Sequence, residues 1–139
     1  MSILVSGSLA YDNIMNFPDS FKNHIMPENI HILNVCFVVN DLKRTWGGTG
    51  GNITYTANLL GANPLIVSAL GKNGDDYLQY FKEQGIATDY IHIDKEHLTA
   101  SAFITTDVDD NQITAFHGGP MGMAGNISLR DVKEKFSLA

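Results

Sequence analysis

Hydrophobic and polar positions fall into blocks along this chain, short strand-like runs trading places with helix-like ones. Ile3-Leu4-Val5 is a compact apolar run closing at Gly7-Ser8, which predicts a buried strand leading into a loop. Ile53, Ala57 and Leu60 stand at i, i+4 and i+7 and predict a helix that Gly61 ends in a left-handed cap. Pro64–Leu70 reads as a second buried strand. Residues 75–84 read as a second helix, with Tyr77, Leu78 and Phe81 on one face, acidic residues in the first turn and Gly85 as the stop. Residues 90–93 predict another short strand.

Two stretches depart from this alternation. Residues 13–41 carry period-two and continuous apolar runs, among them Cys36-Phe37-Val38-Val39, and read as extended, with turns at Pro18 and Pro27. Residues 102–106 and 112–116 flank Asp107-Val108-Asp109-Asp110-Asn111, a turn-rich segment, and predict a hairpin. These stretches, 13–41 and 99–117, are expected to form one small antiparallel sheet from two insertions. Near the end, Ser128 and Asp131 resemble a capping box, and Leu129, Val132 and Phe136 follow at helical spacing. The next core strand is then expected only beyond the chain. Strand–helix–strand–helix–strand order implies an α/β core with a parallel sheet.

Composition narrows the function classes. A length of 139 residues fits one domain, since about 100–200 residues per domain is usual. With Cys36 as the single cysteine, an intrachain disulfide is impossible. The 15 acidic against 9 basic residues give a net charge of −6 and argue against nucleic acid as a partner. Apolar runs are too short to span a membrane, and the first residues lack a signal peptide's basic region, so a cytoplasmic location is expected. The five histidines share no ligand spacing, so no metal site is expected.

Two features carry candidate chemistry. Gly47-Gly48-Thr49-Gly50-Gly51 opens the first helix, where backbone can approach a ligand closely and unpaired N–H groups await an acceptor, although a flexible turn fits the run equally. It is neither a Walker loop nor a dinucleotide fingerprint: Asn73 follows Gly71-Lys72 where Ser or Thr belongs, and Gly48-Thr49-Gly50 lacks the final glycine. Asp12 stands at the exit of the first strand, the end of a parallel sheet where ligands bind. An ionised carboxylate accepts hydrogen bonds from two neighbouring hydroxyls and so matches a vicinal diol, although a loop-capping role also fits its position.

Taken together, Ser6-Gly7-Ser8-Leu9-Ala10-Tyr11-Asp12 and Gly47-Gly48-Thr49-Gly50-Gly51-Asn52 resemble the amino-terminal half of the ribokinase/PfkB carbohydrate kinase family. The likeness continues through Gly71-Lys72-Asn73-Gly74-Asp75-Asp76 and Gly85-Ile86. Residues 7–15 and 102–116 are most similar to bacterial adenosine and broad-range ribonucleoside kinases. The resemblance implies that residues 1–139 are the amino-terminal part of a ribokinase-like domain, with lid segments at about 13–46 and 99–117 inserted in the core. It implies that Asp12 and Asn52, with the backbone of Gly47 and Gly48, grip ribose hydroxyls, with Ser8 in support. Phe116 would stack on the base, a contact worth about 1–3 kcal/mol in comparable sites. Cys36 would lie where a lid residue can touch the base, although a small hydrophobe on a strand fits it equally. Ala102 stands where some adenosine kinases carry a second aromatic, which implies a roomier base pocket.

The implied reaction is ATP-dependent phosphorylation of a ribonucleoside 5′-hydroxyl, with Mg2+ accompanying ATP. The family's Asp-Thr-x-Gly-Ala-Gly-Asp segment, which supplies the anion hole and base, has no counterpart here; Gly122-Met123-Ala124-Gly125-Asn126 ends in an amide that cannot take a proton. No catalytic residue is therefore assigned, and the chain is expected to be a truncated, inactive half that binds the acceptor. A sugar kinase half and a non-catalytic binding or assembly module are the alternatives. The partners expected are a nucleoside or sugar, ATP in the full-length form, and a second copy of the chain through the lid strands.

Overall fold

The computed structural model describes residues 2–133 and 136–138. Four parallel strands form the first sheet: β1 (Ser2–Ser6), β4 (Pro64–Leu70), β5 (Ile91–Ile93) and β8 (Phe136–Leu138), in the order β5-β4-β1-β8. Every residue of β4 is buried, as a strand covered on both faces of a parallel sheet requires. Helices α1 (Thr49–Leu59) and α2 (Asp75–Glu83) cover one face, where Val5, Leu9, Ile66, Leu70, Tyr77 and Phe81 share a core. On the other face Leu4, Leu65, Val67 and Val132 pack together, with Ile127 and Phe136 partly buried against them.

Both helices stop where the sequence places their stops. The amides of Gly61 and Ala62 return to the carbonyls of Asn58 and Ala57, each at 3.0 Å. Those of Gly85 and Ile86 return to Lys82 and Phe81 at 3.0 and 2.9 Å. This paired pattern is the Schellman motif, and at the second helix it brings Ile86 into the same core as Phe81.

The second sheet has the order β3-β2-β6-β7, built from β2 (Ala10–Asn16), β3 (Asp41–Gly47), β6 (Ala100–Thr106) and β7 (Gln112–His117). It is mixed rather than antiparallel. Each insertion is an out-and-back pair, but β2 and β6 run parallel, from Ala10 beside Ala100 to Asn16 beside Thr106. Both insertions leave the core at the same end, so their outgoing strands point the same way.

Two further expectations are corrected. Residues 30–39 are not a strand: short 3₁₀ turns occupy Phe21–Asn23 and Pro27–Ile32, and irregular chain follows to β3. Phe17, Phe21 and Phe37 anchor this segment with ring centroids 4.8–5.6 Å apart, so side-chain packing replaces a sheet partner. The helix expected after Ser128 is a single turn, Leu129–Asp131, in which Ser128 Oγ accepts from the Arg130 amide at 3.3 Å. Residues 134 and 135 of that expected helix lie outside the described residues. Phe136 belongs to β8 instead, where Phe136–Leu138 takes up the free edge of β1, so a further core strand lies within the chain.

Candidate functional site

The candidate residues gather where the second sheet rises from the first. β1 ends at Ser6, and the chain crosses through Gly7-Ser8-Leu9 into β2, while β3 returns through Gly47 and Gly48 into α1. Gly48 has φ +87°, and a side chain there would place Cβ 2.4 Å from the Ser8 carbonyl oxygen. Only glycine fits, because both the backbone angle and the neighbouring backbone forbid a Cβ. The two crossings are laced together: the Gly51 amide donates to the Ser8 carbonyl at 3.1 Å, and the Thr49 amide donates to Ser8 Oγ at the same distance. The Tyr77 hydroxyl donates to the Gly47 carbonyl at 2.8 Å and fixes the loop from below.

Asp12 lies on β2 opposite Thr45 of β3 and Ala102 of β6, and Ala102 in turn lies opposite Phe116 of β7. Cross-strand partners share a face, so Thr45, Asp12, Ala102 and Phe116 form one row across the sheet. Strands spaced about 4.7–4.9 Å apart put the Asp12 and Phe116 positions roughly 10 Å from each other, with the small Ala102 between. The Asp12 carboxylate leans on Gly47, where a Cβ would meet Oδ2 at 2.2 Å. Among the described residues no group donates a hydrogen bond to that carboxylate, and partial burial raises its pKa above the ordinary 3.8. It is an acceptor with unfilled capacity. Phe116 presents its ring to solvent at 57% exposure.

The other expected residues fall at varying distance from this row. Asn52 sits in the first turn of α1, its amide bonded to the Gly48 carbonyl at 3.0 Å. It lines a cavity of about 230 Å³ with Thr45, Gly51, Tyr55 and Tyr77. Ser8 directs its hydroxyl oxygen to the start of α1 rather than into open space. Cys36 is exposed in the irregular chain before β3, outside the Thr45–Asp12–Ala102–Phe116 row. Thr45 and Tyr77 are additions to the site: the sequence pattern puts Tyr77 on the apolar face of the second helix and singles out Thr45 for nothing. Alternation back from Gly47 would have put Thr45 on the Asp12 face, whereas the reach of Tyr77 to Gly47 joins residues too far apart for any local pattern.

A parallel α/β layer with a mixed sheet standing over its strand exits is the ribokinase-like architecture. Residues 13–137 match the pfkB family carbohydrate kinase, and the chain belongs to that family. A nucleoside kinase of Methanothermobacter thermautotrophicus is 29% identical over 119 residues, 84% of this chain and 35% of the relative. The solved nucleoside kinase of Burkholderia thailandensis in complex with inosine is 37% identical with a TM-score of 0.81, over 96% of this chain and 42% of that one. Ribokinase from Cryptococcus neoformans in complex with ADP, at 23% identity and a TM-score of 0.69, shares the fold over 85% of this chain and 35% of that one. The chain thus spans about two fifths or less of the length of these relatives.

Proposed function

We propose that this chain forms the acceptor-binding part of a kinase that phosphorylates the 5′-hydroxyl of a ribonucleoside with ATP. The observation that carries the reading is the Asp12–Ala102–Phe116 row: an acceptor with no donor among the described residues and an exposed aromatic ring on one sheet face, one small residue apart. Asp12 accepts from the ribose vicinal hydroxyls, and the Gly47–Gly48 backbone and Asn52 complete the grip. Phe116 stacks on the base, a contact worth about 1–3 kcal/mol, and Ala102 leaves room for bases of different outline. Ser8 supports the loop, and Cys36 of the irregular segment is a further base contact in this reading. The second sheet, residues about 13–46 and 99–117, acts as the lid. The likeness to a nucleoside kinase solved with inosine supports the choice of nucleoside over free sugar.

ATP with Mg2+ is the phosphoryl donor in this reading, and none of the described residues is assigned to hold it or to act as the base. A cytoplasmic location is part of the same reading. The face of the second sheet opposite Asp12 carries exposed Leu42, Phe103 and Ile113, which supports pairing with a second copy. Light scattering at graded concentration tests that pairing; a monomer throughout excludes it. Calorimetry and thermal shift with adenosine, inosine and ribose test the acceptor. Both nucleosides should bind and raise the melting temperature, and ribose should do so far less. Binding of ribose equal to that of inosine would overturn the nucleoside reading in favour of a sugar acceptor.

A further inference from the structure

The back of the strand that carries Asp12 is held by a charged cluster. Tyr11 precedes Asp12 on β2, so its side chain lies on the opposite sheet face, where its ring is buried against Trp46 and Tyr77 at 5.9 and 5.8 Å. Its hydroxyl donates to Asp76 Oδ1 in the first turn of α2, with the Asn73 carbonyl 3.1 Å away. Arg44 of β3 lies over the Tyr11 ring, 4.6 Å from its centroid, and pairs with Asp76 Oδ2. Burial first, then the Asp76 bond, pushes the Tyr11 phenol pKa up and keeps the hydroxyl a donor. One carboxylate of the parallel layer therefore binds two adjacent strands of the second sheet.

This link differs from the other charged contacts. Among the described ion pairs, Lys22–Asp109 and His24–Asp19 lie within the second sheet and its turns, and His97–Asp94 closes its own loop. Arg44–Asp76 is the pair that joins the second sheet to the parallel layer. On the functional face, by contrast, nothing among the described residues bonds the Asp12 carboxylate. Its station follows that of β2, which is paired with β3 and β6 and is held from behind at Tyr11.

We propose that Asp76 is a positioning residue: by holding Tyr11 and Arg44 together it sets the angle of the second sheet on the parallel layer, and with it the placement of Asp12 beside Gly47. The proposal rests on the nucleoside reading for its ligand but not for its mechanics. Asp76 meets the second sheet on the face opposite Asp12. A charge-assisted bond acting at one end of a strand is transmitted as a rigid shift of the residues packed on it.

Tyr11→Phe, Asp76→Asn and Asp76→Glu test this in the full chain, with three readouts. Tyr11→Phe deletes the hydroxyl alone, and Asp76→Asn leaves Arg44 without its charged partner. Each should weaken inosine binding about tenfold at temperatures where the variant is fully folded, and Asp76→Glu should recover part of the loss. Trp46 is the single tryptophan and stacks on Tyr80 of α2 at 4.9 Å, so its emission reads the joint directly. Emission should shift in Tyr11→Phe and Asp76→Asn, and amides of β2 and β3 should exchange faster while those of β1 and β4 keep their rates. Unchanged emission and exchange in folded variants overturn the proposal, as does a loss of affinity that Asp76→Glu fails to reduce. Should wild type bind no nucleoside, the nucleoside reading falls, and emission and exchange still decide the role of Asp76. Should Asp76→Asn fail to fold, Tyr11→Phe decides it.

Discussion

The two sheets of this molecule solve opposite problems. Every side chain of β4 in the parallel sheet is buried, whereas every side chain of β7 in the second sheet is exposed. Burial on both faces makes β4 apolar except at Ser68, whose hydroxyl is satisfied by donating to the Gly7 carbonyl at 2.6 Å. Exposure frees β7 and its neighbours to hold groups that a core would reject: an acceptor with no donor among the described residues, and a bare aromatic ring. The parallel layer holds the fold together, and the second sheet carries the candidate chemistry, so the same kind of substitution should register in different measurements on the two sides.

The largest effect is expected in the parallel layer. Phe81 of α2 is 0% exposed, at the centre of the core that joins α2 to β1 and β4. Phe81→Ala should cost about 3–5 kcal/mol of stability in denaturant unfolding, the transfer term adding to the cavity left behind. A cost below about 1 kcal/mol would mean that this layer does not bear the load assigned to it. Next comes Asp12→Asn, which removes the ionised acceptor but keeps the shape. Calorimetry should find nucleoside affinity reduced about 100-fold or more, roughly 2.7 kcal/mol, without loss of melting temperature. A parallel fall in stability would make Asp12 a structural cap instead.

Phe116→Ala completes the comparison with Phe81→Ala. With 57% of Phe116 exposed, its truncation should change stability by no more than about 0.5 kcal/mol. It should nevertheless weaken nucleoside binding by about 1–3 kcal/mol, with ribose affinity untouched. Equal losses for ribose and inosine would remove the base from the contact.

What could be read from the sequence follows the range of the interaction. β4 was legible because burial on both faces writes an apolar run broken only by Ser68, and the ends of α1 and α2 because Gly61 and Gly85 close their caps within six residues. Asp12 and the glycines were legible as candidates because their residue types limit what they can do. The parallel join of β2 and β6 was not, since it depends on both insertions leaving the core at one end, 90 residues apart from Ala10 to Ala100. β8 was misread because Leu129, Val132 and Phe136 satisfy helical spacing, while the open edge of β1 offers Phe136–Leu138 backbone partners that no local window contains. Asp76 was passed over for the same reason: its partners Tyr11 and Arg44 stand 65 and 32 residues away.

The smallest effect is also the one that separates carboxylates of opposite use within the second sheet and its turns. Asp12 is raised by burial. Asp19 is lowered to about 2, first by the His24 side chain and then by the Ser20 amide and the Asn23 side chain. Asp109 is lowered by the Ser20 hydroxyl and then Lys22. At Asp107 burial acts against ionisation, but bonds from the Phe21 amide, Asn111 and the Asp109 amide outweigh it and hold the group low. A raised carboxyl contributes stability that is complete below its unfolded pKa and lost as pH rises through its folded pKa, so ionised Asp12 works against the fold at neutral pH. A lowered carboxyl contributes stability present above its unfolded pKa and lost as pH falls through the folded one. Asp12→Asn should therefore melt higher than wild type at pH 7, by about 1–2 °C given its exposure, with the gap closing below the ordinary carboxyl pKa of 3.8. Asp19→Asn should melt lower than wild type at pH 7, with its gap closing only as pH approaches about 2. Melting curves of both variants between pH 2 and 7 check the pair. Two gaps of the same sign would break the distinction between a carboxylate left open for a ligand and carboxylates already filled by the protein.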